Sequence, residues 1–527
     1  MKTISNIFIT IIILLVSITN CQRSKPKAVY NPTLKSLSSH PVPKWYKNAK
    51  FGIFVHWGVY SVPADNEWFL VFMSPQAQFG KNLGGPPYTA SQGNLSDSVF
   101  HANIRKQANK YQREKYGNNF AYDDFIPMFK ARHYNPGKWA ALFKRAGARY
   151  VIMTAKHGDE FALWPSKYDK RNAMNMGPHQ DLVGKLTKAV RSQGIKMGYY
   201  INTTYSFWDK RYPSKKWVRY NNNCIKELVD MYHPAILWGD VRIGPARNKK
   251  GKPLGANHWN SKKMIAYFYN HSKHPNQVVT NDRWGLDMTD STNLNSRKEL
   301  SQSIFASRAR KMNIHGTLLG DYETPERRNV SKIFRTPWET VDSMDPNSWG
   351  YDKFTSKDDY MTTNELVDYL ADIVSKGGNL VINIGPKADG TIPKVMQDRL
   401  RGIGKWLAVN GEAIYGTQPW AIYGQGPTKG EVGSWNNKEN KYHYKPGDVR
   451  FTKKGNDLFA ILLGWPNDHK IVLKSKKFKR LAINNISMLG SDKKIHWKKT
   501  ANGLSVSLPS QSVSPYANTL KIQCDKL

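Results

Sequence analysis

Short apolar runs of β type alternate with amphipathic helical stretches through most of this 527-residue chain. The strand-like runs lie at 51–56, 150–154, 196–201, 235–238, 277–280 and 379–384, and the helical stretches at 136–146, 181–192, 217–231, 363–375 and 393–409. In the first helical stretch, Trp139, Leu142 and Phe143 recur at helical spacing and so share one face. This alternation predicts parallel strands with helices packed outside them, here a (β/α)8-like barrel.

Two segments break the alternation. Residues 70–122 are rich in Gly, Pro, Asn, Gln and Lys and lack apolar periodicity, so we interpret them as a loop insertion near the mouth of the barrel. From residue 415 onward the chain has only β-type runs, separated by Gly and Asn-Gly signals, which predicts an all-β sandwich. The predicted organisation is therefore a barrel at 44–414, with its functional residues where strands end, and a C-terminal β-sandwich at 415–527.

The N-terminus is predicted to be an export signal. An almost wholly apolar run from Ile7 to Ile18 follows a lysine and is too short for a membrane span. Residues 1–21 are therefore predicted to be a signal peptide, and residues 22–43 a flexible tether. The segment ending at Cys21 is a loose lipoprotein cleavage box, so we expect an exported protein, either secreted or anchored in the periplasm or at the outer membrane through a lipidated Cys21.

The chain is strongly basic, with 79 Lys and Arg against 40 Asp and Glu and a formal net charge of +39. The field of such a protein attracts polyanions. Nucleic acid is not predicted as the partner, because no helix-turn-helix, zinc-finger or RNA-recognition signature accompanies the charge. For an exported protein we expect an anionic polysaccharide such as a sulfated glycan, the alternative being a merely basic, solvated surface.

Several acidic residues follow strand-like runs, and the ends of barrel strands are where active sites are built. Pairs of carboxyl groups at such positions serve nucleophilic and general acid–base catalysis, for example in the cleavage of glycosidic bonds. Position alone leaves six candidates tied: Asp159, Asp240, Asp282, Asp321, Glu323 and Glu326.

The segment from Phe51 to Pro63 offers a more specific signal, since its thirteen consecutive positions resemble the first barrel strand of glycoside hydrolase family 29, the α-L-fucosidases, in their bacterial type. The resemblance extends from Trp45 to the C-terminus, apart from the insertion. In that family the histidine of this segment contacts fucose hydroxyls, which implies the same role for His56. Glu67 and Trp68 follow at the family's spacing, and the resemblance implies that they lie near the sugar.

Residues 156–166 are similar to the family's Lys-His-His-Asp-Gly-Phe segment, with two departures. His157 is implied to donate to a sugar hydroxyl, but Gly158 replaces the second histidine and Glu160 replaces the glycine. We hypothesise that Gly158 leaves space for a substituted fucose, for example a sulfated one, or for an altered linkage. The alternative is that Glu160 or another residue fills the gap.

The resemblance also separates the tied carboxyl groups. Residues 236–240 are similar to the family's Leu-Trp-Phe-Asp-Gly, which implies Trp238 as a substrate contact and Asp240 as the nucleophile. The departures there are Gly239 and Val241. Residues 281–285 match closely and imply Arg283 as the cation near the sugar, which we expect to lower the pKa of Asp240.

Two further site residues follow from the resemblance. Tyr200 corresponds to the second tyrosine of a family Tyr-Tyr pair. Residues 321–326 are similar to a segment whose final glutamate is the acid/base, which implies Glu326, with Glu323 close enough to compete. Segments at 336–340, 348–351, 372–380, 383–386, 389–393 and 410–415 also match and are interpreted mainly as fold-defining.

The resemblance implies a retaining exo-α-L-fucosidase that hydrolyses terminal α-L-fucosyl residues by double displacement, without a metal or organic cofactor. Together with the charge, it points to a fucosylated, sulfated, fucoidan-like glycan as the substrate. The alternative is a non-catalytic protein on the same fold that binds polyanionic glycans.

Overall fold

The computed structural model describes residues 29–73, 95–203, 206–207, 214–240, 254–288, 317–327, 330–428 and 444–527. The predicted signal peptide, Cys21 and Val241 lie outside these ranges. Within them, no helix combines the length and the apolar character that crossing a membrane would require.

The first sheet consists of parallel strands in the order β5-β4-β3-β2-β1-β9-β8. In chain order the strands of this region are β1 (Phe51–Val55), β2 (Tyr150–Lys156), β3 (Lys196–Asn202), β4 (Ile236–Asp240), β5 (Val279–Thr280), β6 (Leu286–Asp287), β7 (Thr317–Leu318), β8 (Glu339–Ser343) and β9 (Asn379–Ile384). Strands β6 and β7 form a separate antiparallel pair. Strands β1, β2 and β9 are buried along their whole length, as expected for parallel strands covered on both faces.

An extended segment, residues 321–327, joins the two edges of this sheet. Parallel bridges connect Tyr322 with Asn281 on one side, and Glu323 and Glu326 with the β8 side on the other. The Asp321 N–H donates to the Thr280 carbonyl over 2.8 Å, and the Glu339 N–H donates to the Glu323 carbonyl over 2.9 Å. Eight parallel segments therefore surround one axis, which confirms the predicted (β/α)8-like barrel.

The helices of this region, in chain order, are α1 (Leu34–Ser38), α2 (Lys44–Ala49), α3 (Phe69–Phe72), α4 (Leu95–Tyr116), α5 (Pro136–Arg145), α6 (Leu182–Ser192), α7 (Lys215–Tyr232), α8 (Ala256–Trp259), α9 (Ser261–His271), α10 (Thr363–Ser375) and α11 (Lys394–Asn410). Helices α5, α6, α7, α10 and α11 were predicted to within two residues at each end. Four of the five begin at a side-chain cap, such as the Thr362 and Glu365 capping box of α10, whereas α11 begins after Pro393 without one.

Two sequence predictions need correction. The described part of the supposed insertion contains the 22-residue helix α4, which the sequence conceals because its charged and amide side chains leave little apolar periodicity. The described part of the supposed tether is held on the barrel, since the Tyr30 hydroxyl donates to Asn276 over 2.6 Å and α1 buries Leu37.

The C-terminal region consists of two antiparallel sheets. Its strands are β10 (Gln418–Gln425), β11 (Val449–Lys454), β12 (Asp457–Leu462), β13 (Lys470–Lys474), β14 (Ile483–Met488), β15 (His496–Thr500), β16 (Gly503–Ser507) and β17 (Asn518–Cys524). One sheet has the order β10-β11-β12-β17-β14, and the other has the order β13-β16-β15.

The centre of the five-stranded sheet is buried on both faces. Along β12, Phe459 and Ile461 join the barrel's hydrophobic core, whereas Leu458 and Leu462 join a second core shared with the three-stranded sheet. On the barrel side, Arg450 of β11 forms an ion pair with Asp372 of α10. The three-stranded sheet is therefore the outer layer of the predicted sandwich.

Candidate active site

Asp240 lies at the carboxyl end of β4, beyond the last residue of β4 that pairs with the short strand β5. Side-chain hydrogen bonds from Asn281 take the place of strand pairing there. The Asn281 amide accepts from the Gly239 N–H and donates to the Gly239 carbonyl, both over 2.8 Å. On the other side, the Thr203 N–H donates to the Asp240 carbonyl over 2.8 Å. The backbone that carries the Asp240 carboxylate is therefore fixed from both neighbouring strands.

The guanidinium of Arg283 bridges two carboxylates. Its Nη1 lies 3.2 Å from Asp240 Oδ1, and its Nη2 lies 2.7 Å from Glu326 Oε2. The same group donates through Nε to the Thr324 hydroxyl over 3.0 Å and lies 4.7 Å from the centre of the Trp238 ring. One buried cation thus contacts both acidic side chains, each through a different Nη atom.

Glu326, not Glu323, faces this cation. Along the extended segment from 322 to 326, successive side chains point to opposite sides. Thr324 and Glu326 share the side that contacts Arg283. Glu323 lies on the opposite side and is only half-buried.

The protonation of Asp240 is set by two opposed effects. Burial raises the pKa of its carboxyl and outweighs Arg283, which lowers it; Glu326 adds a further increase. The Tyr200 hydroxyl donates to Asp240 Oδ2 over 2.8 Å and lowers the pKa. Arg283 acts in the predicted direction, but the net shift is upward because the carboxylate loses its hydration in the pocket.

His56, just beyond β1, is held as one neutral tautomer. Its Nδ1 lies 2.7 Å from Asn383 Oδ1, while Asn383 Nδ2 donates to the carbonyl of Trp349 over 2.6 Å and to the hydroxyl of Ser343 over 3.1 Å. These two acceptors orient the amide, so Nδ1 of His56 must be the donor. Burial lowers the pKa of His56 to about 4, so its Nε2 is a hydrogen-bond acceptor.

His157 lies among aromatic rings. Its ring stacks on that of Tyr200 at 5.5 Å and meets His56 and Tyr60 edge-on. Burial lowers its pKa well below the usual value, with His56 adding to the effect. Within the described structure its buried Nδ1 has no hydrogen-bond partner, which is unusual for a buried polar atom.

The space beside Gly158 is filled by Phe207. An added Cβ at Gly158 would lie 2.6 Å from the Phe207 ring, and the Phe207 N–H donates to the Gly158 carbonyl over 2.8 Å. The hypothesis of an open gap at Gly158 is therefore wrong, and the wall there is apolar.

Glu160, the other departure in this segment, does not line the wall. It has a left-handed φ of 61°, and its carboxylate forms an ion pair with buried Lys156 and accepts from the Trp217 indole over 3.0 Å. Glu160 therefore anchors the loop after β2 to the start of α7.

Glu67 holds the loop that carries Trp349. Its Oε2 accepts from the Ser348 hydroxyl and the Trp349 N–H, both over 2.9 Å, and from the Gly350 N–H over 3.2 Å. The Trp349 ring lies 5.4 Å from His56. Trp68 reaches the same region through Phe207, whose ring centre is 4.9 Å away.

Beneath Asp240 lies a layer of buried polar contacts. The Trp238 indole stacks on Tyr200 and donates to Glu339 Oε1 over 3.2 Å. Glu339 Oε2 accepts from the hydroxyls of Tyr46 and Tyr150, and burial raises its pKa to about 7. Trp238 is thus a rigid support under both Arg283 and Tyr200.

The remaining tied carboxyl groups have other partners. Asp159 accepts from Tyr122, and Asp282 accepts from Thr324. Asp321 contacts His40 and accepts from Tyr269 on the outer side of the barrel wall. Asp240 and Glu326 are the two of the six that contact Arg283 in the described structure.

All nine predicted site residues come together, seven directly and Glu67 and Trp68 through one intermediate residue each. Trp349, Phe207 and Asn383 also lie in this region but were not predicted as site residues. Trp349 and Asn383 stood in matching segments interpreted as fold-defining, whereas Phe207 has no local signal. Among the described residues no group of His, Cys, Asp and Glu is arranged to hold a metal ion.

Comparisons with known proteins agree over nearly the whole chain. Residues 17–412 match the family described as Alpha-L-fucosidase, and residues 444–523 match its C-terminal domain. The chain is 33% identical to an alpha-L-fucosidase of Branchiostoma floridae over 92% of both chains, and 31% identical to human tissue alpha-L-fucosidase over 95% of this chain and 93% of that one.

A solved structure of Thermotoga maritima alpha-fucosidase in complex with a mechanism-based inhibitor is 31% identical, with a TM-score of 0.68 over 94% of this chain and 100% of that one. Alpha-L-fucosidase isoenzyme 1 of Paenibacillus thiaminolyticus shares the fold, at 22% identity and a TM-score of 0.65 over 92% and 98% of the two chains.

Proposed function

Since this chain belongs to glycoside hydrolase family 29 and is an α-L-fucosidase, we propose that it releases terminal α-L-fucosyl residues by a retaining double displacement, with Asp240 as nucleophile and Glu326 as acid/base. The observation that carries this assignment is the contact of both carboxylates with the single guanidinium of Arg283. In retaining glycosidases the two catalytic carboxyl groups are about 5 Å apart. A guanidinium that contacts both carboxylates keeps them close to each other, as that mechanism requires.

In the first step, Asp240 Oδ attacks the anomeric carbon and the glycosidic bond breaks, while Glu326 gives its proton to the leaving oxygen. Arg283 and Tyr200 hydrogen-bond to Asp240 and favour the ionised form that must attack. The raised pKa that burial gives Asp240 also keeps its carboxylate nucleophilic, because a more basic oxygen is a better nucleophile.

In the second step, Glu326 takes a proton from water, and the water oxygen attacks the anomeric carbon of the fucosyl ester. The ester bond to Asp240 breaks, and the sugar leaves with its original α-configuration. Glu326 thereby regains the proton that it lost in the first step, so the cycle needs no group beyond these side chains and water.

The substrate contacts that we propose involve the polar and apolar side chains that line the pocket. His56 Nε2 accepts a hydrogen bond from one sugar hydroxyl, and the His157 imidazole meets another. Glu67 acts through the Trp349 loop, and Trp68 and Phe207 form an apolar wall. A sulfate on the sugar would not suit this wall, so sulfation of a fucoidan-like substrate is proposed for the units beyond the cleaved fucose.

For the protein's context, we propose a bacterial type and export through residues 1–21, with Cys21 as a candidate lipid anchor. Support for export comes from the apolar run at Ile7–Ile18. To test the anchor, the protein is produced in bacteria that are fed a labelled lipid precursor, and it is then purified. We expect the purified protein to carry the label and a Cys21→Ser variant to lack it.

The roles of the two carboxylates are tested with an aryl α-L-fucoside. We expect Asp240→Ala to lower kcat at least about a thousandfold. Glu326→Ala should be rescued by azide, which needs no general base, and should yield α-L-fucosyl azide. Glu323→Ala is the matched control and should remain active; rescue of Glu323→Ala in place of Glu326→Ala would transfer the role to Glu323.

A further inference from the structure

The outer face of the three-stranded sheet is a solvent-exposed cationic surface. Along β13 the side chains alternate, with Ile471 and Leu473 in the second core and Lys470 and Lys474 exposed. On β15, Lys498 is exposed while Trp497 contacts the core. Because the five-stranded sheet separates this sheet from the barrel, this face is the free side of the domain.

The pairing of the strands places small side chains between these cations. Lys470 pairs with Ser507, which pairs with His496 on the far side, and Ser505 lies between Val472 and Lys498. We call this set, Lys470, Lys474, His496, Lys498, Ser505 and Ser507, the cationic sheet face. Its middle strand presents short hydroxyls, so its long basic side chains flank a shallow channel.

The charge of this surface is uncompensated. Between residues 468 and 500 the sequence has ten Lys and Arg and two Asp. In the part of the chain that the structure describes, the ammonium groups of Lys470, Lys474 and Lys498 make no ion pair or hydrogen bond. Strand geometry sets their spacing at roughly 13 Å along β13 and about 10 Å across to β15. Such an array matches a chain that carries repeated negative charges.

We propose that the cationic sheet face binds an anionic polysaccharide, with sulfate groups on the lysines and the sugar chain over the serine hydroxyls. Lysine is a compact point charge with rotatable donors and suits sulfates at variable positions along a polymer. This proposal concerns binding at a surface remote from the active site and not the hydrolysis of a fucoside. It rests on the proposed function only for the choice of a sulfated fucan as the glycan.

The same face is poorly suited to nucleic acid. Single strands are bound on exposed aromatic rings, and duplexes are read by elements that enter a groove. Among the outward side chains described for β13, β15 and β16 there is no Phe, Tyr or Trp ring, since Trp497 contacts the core, and His496 is the one imidazole. In this described part of the chain, the one helical element beside these strands is the five-residue 3-10 helix Lys476–Arg480, which is too short to enter a groove. Charge without stacking surfaces favours a sulfated sugar chain.

The test uses the whole mature protein and a sulfated fucan, with its desulfated form as a control ligand. Lys470→Gln, Lys474→Gln and Lys498→Gln together remove three charges from the face. Lys138→Gln, Lys188→Gln and Lys405→Gln together remove three exposed charges from barrel helices and serve as the matched control. Ser505→Glu, which adds one negative charge to the channel, provides an independent variant.

We expect the first triple variant to raise the Kd for the sulfated fucan roughly tenfold or more, as three exposed contacts would, and the control by no more than about twofold. Ser505→Glu should also weaken binding, and the desulfated fucan should bind weakly to every variant. The kcat/KM on an aryl α-L-fucoside should be unchanged in all of them, so a failed active-site assignment would appear separately.

The proposal is overturned if both triple variants lose affinity equally, because binding would then depend on overall charge. Absence of binding by the unmodified protein also overturns it. So does equally tight binding of single- or double-stranded DNA that is lost with the same three lysines.

Discussion

The protein holds positive charge in two opposite ways. Arg283 is buried and contacts two carboxylates, a threonine and an indole ring. The lysines of the cationic sheet face are exposed and unpaired among the described residues. A buried cation controls the protonation and position of its neighbours at short range, whereas exposed cations act on a large ligand and are screened by salt.

Removing the buried cation should have the largest effect. Arg283→Met leaves Asp240 and Glu326 close together without a shared partner and removes the main influence that lowers the pKa of Asp240. We expect kcat/KM on an aryl α-L-fucoside to fall by about 100- to 1,000-fold. Since Asp240 must be ionised to attack, the acidic limb of the pH profile should move to higher pH.

Arg283→Lys is the matched control for that variant. It keeps one charge but cannot donate to both carboxylates in the fork geometry of arginine, so it should recover only part of the activity. Full activity in Arg283→Lys would show that the bridge between Asp240 and Glu326 is unimportant.

Tyr200→Phe sharpens the account of the buried site with a smaller change. The Tyr200 hydroxyl lowers the pKa of Asp240, so its removal should raise that pKa and shift the acidic limb of kcat/KM to higher pH. The loss of rate above that limb should be about tenfold, typical of one hydrogen bond to a charged group. Tyr199→Phe, whose hydroxyl contacts Thr187 and not the site, should leave the limb in place.

The apolar wall formed by Trp68 and Phe207 is expected to contribute less to kcat/KM than Tyr200 does. Phe207→Ala opens the space over Gly158 and should raise KM for an aryl α-L-fucoside by about three- to tenfold, with a smaller effect on kcat. A purely structural role would instead lower the thermal unfolding midpoint and leave KM unchanged.

Ionic strength should affect the buried active site and the cationic sheet face differently, and of all the changes considered it should have the smallest effect on catalysis. Raising ionic strength from about 0.01 to about 1 M shortens the Debye length from roughly 30 to 3 Å. Turnover of a neutral aryl fucoside should then change by no more than about twofold, whereas binding of sulfated fucan should weaken strongly. Equal salt sensitivity of both would contradict the division between buried and exposed charge.

The sequence was sufficient to predict an element wherever the pattern of apolar residues within one segment identifies it. A buried parallel strand such as β1 is a continuous apolar run, and the predicted helices show an apolar face. The closing segment at 321–327 resembled a family segment but was not predicted as a barrel strand, because it is polar and contains Pro325, which has no N–H for the ladder.

The sequence was insufficient where contacts cross the chain. Phe207 occupies the space over Gly158 from a different loop, and no local pattern indicates this contact. Glu160 substitutes for a glycine yet points toward Lys156, so the departure concerns support of the loop and not the pocket. The net rise in the pKa of Asp240 also required the actual burial of the site.

The most direct test of the central assignment is to identify the residue that becomes esterified. A 2-fluorinated fucosyl donor with an activated leaving group slows both steps but allows the first, so the fucosyl ester should accumulate. Mass spectrometry of the digested protein is predicted to find one fluorofucosyl group on Asp240. A label on Glu326, Asp282 or another carboxyl group, or release of a β-configured product without any label, would contradict the account.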